Sequence, residues 1–329
     1  MEKILILPLI LSFFVVLFFI PIWIKKAKKV GLSGKDMHKI SKKEIAEAGG
    51  VSVLIGFVLG VLIYVALKTF YFQNITNLIE IFALLSSILI IGFVGLIDDI
   101  LGWKIGLNKK TRIFFLVFAS IPLVVINAGQ SEMMGIAFGL IYPLIFIPIG
   151  IVGATTTFNF LEGYNGLGTS QGILILGALS IVTWFTESSW LALICLIMVA
   201  CLIAFYLFNH YPAKILPGDV LTYSVGSLIA IVAILGNIEK IAVFFFIPYI
   251  MEVCLKIRGK LKKESFAKVK EDGSLENQYK KFYGLEHISV YLLSKFKKKV
   301  NEKEVVYLIN LFQVLIILMG MIIFRNTIF

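Results

Sequence analysis

Ten long apolar stretches constrain the fold of this chain more than any other feature of its sequence. Each has about the 20 mostly apolar residues that a helix needs to cross the roughly 30 Å hydrocarbon core of a bilayer. The sequence therefore predicts an all-α, polytopic integral membrane protein with about ten transmembrane helices, forming one membrane-embedded domain over residues 1–329. The stretches cover approximately residues 3–24, 49–68, 79–97, 111–128, 140–158, 170–186, 189–209, 219–236, 239–257 and 304–325.

The composition agrees with a membrane protein and excludes several other classes. Hydrophobic residues make up 59% of the chain and charged residues 16%, whereas soluble domains average about 45–50% and about 25%. A soluble enzyme, a disordered protein and a secreted disulfide scaffold are thereby excluded. The three cysteines, Cys195, Cys201 and Cys254, lie inside apolar stretches without metal-ligand spacing, and we assign them no function.

Charge is distributed unevenly between the two sets of loops. The chain has 31 Lys and Arg against 20 Asp and Glu, a net charge of +11. If ten spans alternate, one set of loops contains 27 of the basic residues and the other set 4. Cytoplasmic loops carry the excess of Lys and Arg, so we expect both termini outside the cell and any chemistry on the cytoplasmic face.

An aspartate pair, Asp98-Asp99, ends the third span. Two adjacent carboxylates repel each other unless a cation lies beside them, and they oppose the dipole of a helix C-terminus. This unfavourable placement favours a functional role over a solvated helix end. A basic run of Lys104, Lys109, Lys110 and Arg112 follows, which could hold a phosphate near the pair.

Two further cytoplasmic loops contain oxygen ligands. Asn159 lies at the end of a span, where a polar group needs a partner, and Gly163 permits close backbone approach to a ligand. Asp219 precedes another span and is either a helix N-cap or a ligand. Asn159 and Asp219 together would suit Mg²⁺, with substrate phosphates completing its shell.

The first and last cytoplasmic loops contain the remaining candidates. The first has Lys35-Asp36, Lys39 and Glu47. The last, residues 258–303, is long and basic. Its lysines form either a patch on the lipid surface or a lid over a ligand, and for residues 295–299 the lipid patch is the favoured interpretation.

In their order and their common face, these motifs resemble those of the polyprenyl-phosphate N-acetylhexosamine-1-phosphate transferases. The resemblance runs from about residue 31 to the last span. It is greater for the branch that uses dolichyl phosphate and UDP-N-acetylglucosamine, because of residues 159–167, 209–214 and 269–276. The bacterial cell-wall branch typically has a His-rich motif in the last cytoplasmic loop, where this chain has only His287.

The resemblance implies a Mg²⁺-dependent enzyme, with Mn²⁺ as the alternative ion. It would transfer GlcNAc-1-phosphate from UDP-GlcNAc to a dolichyl-type polyprenyl phosphate, the first step of lipid-linked oligosaccharide synthesis for N-glycosylation. Another UDP-N-acetylhexosamine, or undecaprenyl phosphate for a surface polysaccharide, is the alternative, and a membrane transporter is a more distant one. We expect a multi-pass protein of the cell membrane that contacts lipids but no nucleic acid. A homodimer is one option for its assembly.

The resemblance also implies roles for individual residues. Asp219 and Asn159 would hold Mg²⁺, and Asn165, with the backbone at Gly163, would read the uracil edge. Lys109 or Lys110 would orient the lipid phosphate, while Asp98 or Asp99 keeps that phosphate deprotonated or tunes the lysines. The substrate-binding candidates also include Asp36, Lys39, Glu47, Lys262 and Lys263.

Four positions depart from the family pattern. Thr156 stands where many relatives have Asn, and Glu162 where bacterial relatives have Asp and eukaryotic ones a small residue. Lys262 and Lys263 stand where eukaryotic relatives use arginines on the pyrophosphate and sugar. A lysine supplies charge there but not a bidentate fork.

Overall fold

The computed structural model describes residues 3–39, 44–102, 106–130, 132–133 and 136–329. Within these residues the chain is mainly helical with very little sheet, as predicted. Lys104 of the predicted basic run lies outside the described residues. The helices are α1 (Leu7–Lys29), α2 (Gly50–Ala66), α3 (Leu78–Leu101), α4 (Lys109–Val125), α5 (Ile147–Phe160), α6 (Leu167–Phe185), α7 (Ser189–Asn209), α8 (Gly218–Leu235), α9 (Glu239–Phe245), α10 (Ile247–Arg258), α11 (Leu285–Phe296), α12 (Glu302–Ile323) and α13 (Arg325–Ile328).

Eight helical segments in the described part of the chain are long and apolar enough to cross a membrane. They match eight of the ten predicted spans, and short 3₁₀ or π turns extend three of them. The predicted span at 111–128 corresponds to α4, which has 17 residues. The span at 239–257 is divided at Phe246 into α9 and α10. The count of ten and the outside location of the termini stay predictions.

Helix α8 lies at the centre of the bundle. Its residues from Val220 to Ile234 are all buried, and it packs against α2, α3, α5, α6 and α9. Gly95 of α3 allows a close approach, because a Cβ there would lie 2.7 Å from the Val220 backbone. Small residues permit such contacts between membrane helices. This contact places the end of α3, with its two aspartates, beside the start of α8.

Three short antiparallel hairpins complete the fold of the described residues. They are β1 (Ser33–Lys35) with β2 (Glu44–Ala46), β3 (Glu132–Met133) with β4 (Ile136–Ala137), and β5 (Lys268–Val269) with β6 (Leu275–Glu276). The first hairpin docks beside the start of α8, since the Leu216 N–H donates to the Ala46 carbonyl at 2.8 Å and the Gly50 N–H to the Pro217 carbonyl at 2.8 Å. The first loop is thereby brought to the same end of the bundle as α8 begins.

Candidate active site

The main cavity lies where α3 and α5 end and α8 begins, and has a volume of about 610 Å³. Its wall is formed by the first strand of the first hairpin with Asp36 and Met37, the ends of α3 and α5, the start of α8, and Phe266 from the last connection. Motifs far apart in the sequence therefore converge here. The predicted site residues in its lining are Asp36, Glu47, Asp99, Asn159, Gly163, Asn165 and Asp219.

Two smaller cavities share walls with the main cavity. We call the first the aspartate cavity; it has about 270 Å³, and its lining includes Glu47, Asp98, Asp99, Arg112 and Asp219. The second, the lysine cavity, has about 570 Å³, and its lining includes Lys109, Arg112, Asn159, Lys256 and Lys263. Asp219 faces the main and aspartate cavities, whereas Asn159 faces the main and lysine cavities. This pair marks the junction of all three.

Asp219 is the second residue of α8 and not its N-cap. The N-cap position is Pro217, which makes no side-chain capping bond. The Asn159 amide Nδ2 donates to Asp219 Oδ1 at 2.7 Å and to Thr222 Oγ1 at 2.9 Å. Arg112 Nη2 lies 3.8 Å from Asp219 Oδ2. The carboxylate is therefore oriented by α5 on one side and α4 on the other.

Asp99 caps α8 from a different helix. Its Oδ1 accepts the Asp219 backbone N–H at 2.6 Å, and its Oδ2 accepts the Val220 N–H at 3.2 Å. The first N–H groups of a helix lack intrahelical partners, and a carboxylate there is favoured by the helix dipole. Gly218 has φ +72° and lies against the Asp99 carboxylate, so a side chain at that position would clash. Asp99 thus fixes the backbone that carries Asp219.

Asp98 holds Arg112. Its Oδ2 pairs with Arg112 Nη2 and accepts from the Tyr223 hydroxyl at 3.2 Å, while Oδ1 accepts the Leu107 N–H at 2.7 Å. Arg112 is thereby the cation placed next to Asp219. We predicted Asp98 as a site residue, and Arg112 only as part of a basic run that could hold a phosphate near the pair. The sequence gives no sign that this member of the run turns toward the aspartates.

The donors around Asp219 fit a divalent cation. Because Asn159 Nδ2 donates to Asp219 Oδ1, the Asn159 carbonyl Oδ1 and Asp219 Oδ2 are the oxygens left for an ion. Among the described residues lining the main cavity, Lys35 is the single cationic side chain, against five carboxylates: Asp36, Glu47, Asp99, Glu162 and Asp219. An acidic wall with carboxylate and amide oxygens suits Mg²⁺ in preference to softer metals.

Asn165 is anchored at both its main chain and its side chain. Its backbone N–H donates to Glu302 Oε1 at 2.7 Å, and its Nδ2 donates to Asp36 Oδ2 at 3.0 Å. Lys39 Nζ lies 2.5 Å from the same Asp36 oxygen. Burial alone would raise the pKa of Asp36, but the hydrogen bonds from Lys39 and Asn165 outweigh it and hold that pKa below its usual value. We predicted Asp36, Lys39 and Asn165; Glu302 was missed.

His38 links the first loop to the last connection. Its Nε2 accepts the Ala267 N–H at 3.2 Å, and its ring lies 4.1 Å from the Tyr164 ring, centroid to centroid. Asp36, His38 and Glu302 bring potential ligand atoms within 4.8 Å of one another. Their contacts with Lys39, Asn165 and Ala267 already engage this group, so we interpret it as a hydrogen-bonded scaffold around Asn165.

Two glutamates at the cavity wall have raised pKa values. Burial raises the pKa of Glu47, which faces the main and aspartate cavities. Glu162 is partly exposed between the main and lysine cavities, but its Oε2 is buried without a hydrogen-bond partner. Burial raises the pKa of Glu162 to about 8. Glu162 appeared in the sequence only as a departure from the family pattern, and its burial was not evident there.

The predicted lysines differ in their placement. Lys109 and Lys263 line the lysine cavity, and Lys263 Nζ lies 4.8 Å from the centroid of the Tyr279 ring. Lys110 and Lys262 are exposed and line none of the three cavities. Lys256, which was not predicted, is 8% exposed at the wall of the lysine cavity and donates a hydrogen bond to Ser265.

Known proteins match this chain over most of its length. Residues 81–237 match the family described as glycosyl transferase family 4. A protein of Saccharolobus solfataricus with the provisional name UDP-N-acetylglucosamine–dolichyl-phosphate N-acetylglucosaminephosphotransferase is 36% identical over 96% of this chain and 92% of its own. One with the same name from Sulfolobus acidocaldarius is 34% identical over 82% of each chain.

A bacterial relative is more distant. The phospho-N-acetylmuramoyl-pentapeptide-transferase of Streptococcus pyogenes is 29% identical over 74% of this chain and 76% of its own. The archaeal relatives match a larger share of the chain at higher identity. Together with the family match across α3 to α8, this similarity shows that the chain belongs to glycosyl transferase family 4.

Proposed function

We propose that this protein transfers GlcNAc-1-phosphate from UDP-GlcNAc to a dolichyl-type polyprenyl phosphate, giving polyprenyl-diphospho-GlcNAc and UMP. The archaeal relatives carry names for this activity. The observation that carries the proposal is the Asp219–Asn159 pair at the junction of three cavities that are lined in part by charged side chains. Two anionic substrates and a cation can meet at this point.

The main cavity is the place for the nucleotide. Asn165 lies in its wall beside Gly163, and Phe266 lies against Gly163, with a ring carbon 3.3 Å from where a Gly163 Cβ would be. We assign the uracil edge to Asn165 and the backbone at Gly163. The diphosphate then extends toward Asp219 and Asn159, which lie in the same wall.

The lysine cavity is the place for the lipid phosphate. Its lining combines Lys109, Arg112, Lys256 and Lys263 with the apolar side chains of Ile113, Phe160 and Leu261. A phosphate ester on a hydrocarbon chain needs both kinds of surface. An oxygen of the lipid phosphate attacks the phosphorus that bears GlcNAc, and the bond from that phosphorus to the bridging oxygen breaks, so UMP leaves. Such a transfer needs mainly positioning and charge neutralisation from the protein.

The protein's own groups prepare the site for this transfer. Asp98 holds Arg112 beside Asp219, where the guanidinium can neutralise phosphate oxygens. Asp99 fixes the start of α8. Mg²⁺, which we propose Asp219 and Asn159 hold, would supply further positive charge against the diphosphate when bound. The surplus of Lys and Arg in the loops at this end supports a site at the cytoplasmic face of the cell membrane.

A panel of donors and acceptors tests the proposal. The purified protein in detergent with Mg²⁺ should release UMP from UDP-GlcNAc with dolichyl phosphate. UDP-GalNAc, UDP-N-acetylmuramoyl-pentapeptide and undecaprenyl phosphate are the competing substrates. We expect the highest kcat/KM for UDP-GlcNAc with dolichyl phosphate. Higher kcat/KM for the muramoyl donor with undecaprenyl phosphate would assign the cell-wall reaction instead, and counterflow of a nucleotide sugar without UMP release would indicate a transporter.

A further inference from the structure

The carboxylate of Asp36 fixes the orientation of the Asn165 side-chain amide. Asn165 is 8% exposed and Asp36 is 3% exposed, both at the wall of the main cavity. The Asn165 Nδ2 donates to Asp36 Oδ2 at 3.0 Å. An ionised carboxylate only accepts hydrogen bonds, so it must face the NH₂ of the amide and not its oxygen. One of the two N–H donors is thereby used, and the Asn165 Oδ1, which accepts no hydrogen bond from the described residues, is the acceptor that faces a ligand.

The carboxylate of Asp36 is itself held firmly. Lys39 Nζ lies 2.5 Å from its Oδ2, and its Oδ1 accepts the His38 backbone N–H at 3.2 Å. The Asn165 main chain is anchored separately, by Glu302 Oε1 at 2.7 Å from its N–H. Asp36 therefore controls which way the amide points, whereas Glu302 controls where the residue lies.

A fixed acceptor distinguishes two pyrimidine bases. Uracil presents an N3–H donor between two carbonyl oxygens. Cytosine has an unprotonated N3, which is an acceptor, at the same position. An amide that is free to rotate can serve either base, because it offers an oxygen or an NH₂. An amide held with its oxygen outward pairs with uracil and leaves cytosine with two acceptors facing each other, an arrangement that sites built on hydrogen bonds reject strongly.

We propose that Asp36 is a positioning residue that makes the site select uridine over cytidine nucleotides, by holding the Asn165 oxygen toward the base. This inference rests on the proposed function, since it places a uridine nucleotide against Asn165. It assigns Asp36 a role in specificity, with no direct contact to the base.

The test compares inhibition by UMP and by CMP in the wild type, Asp36→Asn and Glu302→Gln. In the wild type we expect UMP to inhibit at least about tenfold more strongly than CMP. In Asp36→Asn the new amide can offer an oxygen or an NH₂ to Asn165. The ratio of the inhibition constant for CMP to that for UMP should therefore fall to within about threefold of one. Glu302→Gln is the matched control: it should weaken both inhibitors alike and leave the ratio unchanged.

A double variant that exchanges the two side chains keeps the test decisive if Asp36→Asn loses activity. In the double variant Asp36→Asn with Asn165→Asp, the NH₂ of residue 36 donates to the new carboxylate, whose second oxygen again faces the base. Tritiated UMP binding, competed with CMP, should show the uridine preference restored. An unchanged ratio in Asp36→Asn, or a double variant without uridine preference, overturns the role of Asp36. A wild type that binds neither nucleotide contradicts the proposed function itself.

Discussion

Asp219 is held in place by groups from three other helices. Asn159 of α5 donates to its carboxylate, Arg112 of α4 lies 3.8 Å away, and Asp99 of α3 accepts its backbone N–H. This arrangement orients one carboxylate oxygen toward the junction of the cavities. At the scale of single residues, we therefore place the largest contribution to activity on the charge of Asp219.

Replacing Asp219 with Asn should lower the rate of UMP release by about a hundredfold or more, because the amide keeps the shape but removes the charge that stabilises a cation and the transferring phosphate. Initial rates over a Mg²⁺ titration measure this. Thr222→Val is the matched control, since it removes the second acceptor of Asn159 and the long hydroxyl bonds to the carbonyls of Gly218 and Asp219 but keeps the Asp219 carboxylate. It should leave the rate within a few-fold of the wild type. A rate for Asp219→Asn within about tenfold of the wild type would contradict the metal assignment.

Glu162 should make the protein less stable as the pH rises. Its pKa is about 8 in the folded protein against 4.5 ordinarily. Between these values the folded chain binds more protons than the unfolded chain, so the free energy of unfolding falls with increasing pH. Glu162→Gln removes this dependence. Its apparent melting temperature in detergent, relative to wild type, should rise from about pH 5 to about pH 8; a constant difference over that range would show that the carboxyl titrates normally.

Some of these residues could be predicted from sequence and others could not. Asn159 and Asp219 were recognisable, because polar groups at the ends of apolar spans need partners. Glu302 was not, since its contact with Asn165 joins residues 137 positions apart. Lys256 lies within a predicted span and gave no sign that its ammonium reaches a cavity.

Helix α8 shows how one element builds the site. Its first N–H groups are capped by Asp99 of α3, and Gly95 of the same helix permits the close contact that brings Asp99 into range. The sequence predicted a role for the Asp98-Asp99 pair, but both residues were treated alike. In the structure their contacts differ: Asp98 binds the Arg112 guanidinium, and Asp99 accepts the first N–H groups of α8.

The capping role predicts a loss of stability when the acceptor is removed. Asp99→Ala should lower the free energy of unfolding by about 1–2 kcal/mol, as loss of an N-cap acceptor does. Asp99→Asn retains one carbonyl acceptor, for the Asp219 N–H, and should recover part of that loss. Denaturation in detergent, followed by circular dichroism, measures both variants. Equal destabilisation by Ala and Asn would show that the charge, and not the acceptor, is what the helix needs.

At the scale of the whole molecule, the unequal charge of the two sets of loops determines the predicted orientation. The helical membrane fold followed from ten apolar stretches. The exact number of spans stays a prediction, since α4 has 17 residues and the predicted span at 239–257 consists of two helices, α9 and α10. Periodicity and length do not show where a helix breaks, because Phe246 is as apolar as its neighbours and Pro248 is tolerated at a helix start.

The predicted orientation can be measured by labelling single cysteines in intact cells. Cys195, Cys201 and Cys254 are first replaced by Ser. In that background the Lys240→Cys variant should react with a membrane-impermeant maleimide from outside the cell. A cysteine at Glu271 should react only in inside-out vesicles, because the basic last connection is expected in the cytoplasm. Both positions are exposed on the protein. Labelling of position 271 in intact cells would reverse the orientation and place the site outside.

The proposed reaction transfers a phospho-sugar and not the sugar alone. The most direct measurement follows the protein with UDP-GlcNAc, dolichyl phosphate and Mg²⁺, and quantifies nucleotide and lipid products by mass spectrometry. We predict UMP and dolichyl-diphospho-GlcNAc in equal amounts, with both lost together in Asp219→Asn. Release of UDP with a dolichyl-monophospho-sugar, or no lipid product at all, would contradict the transfer of GlcNAc-1-phosphate.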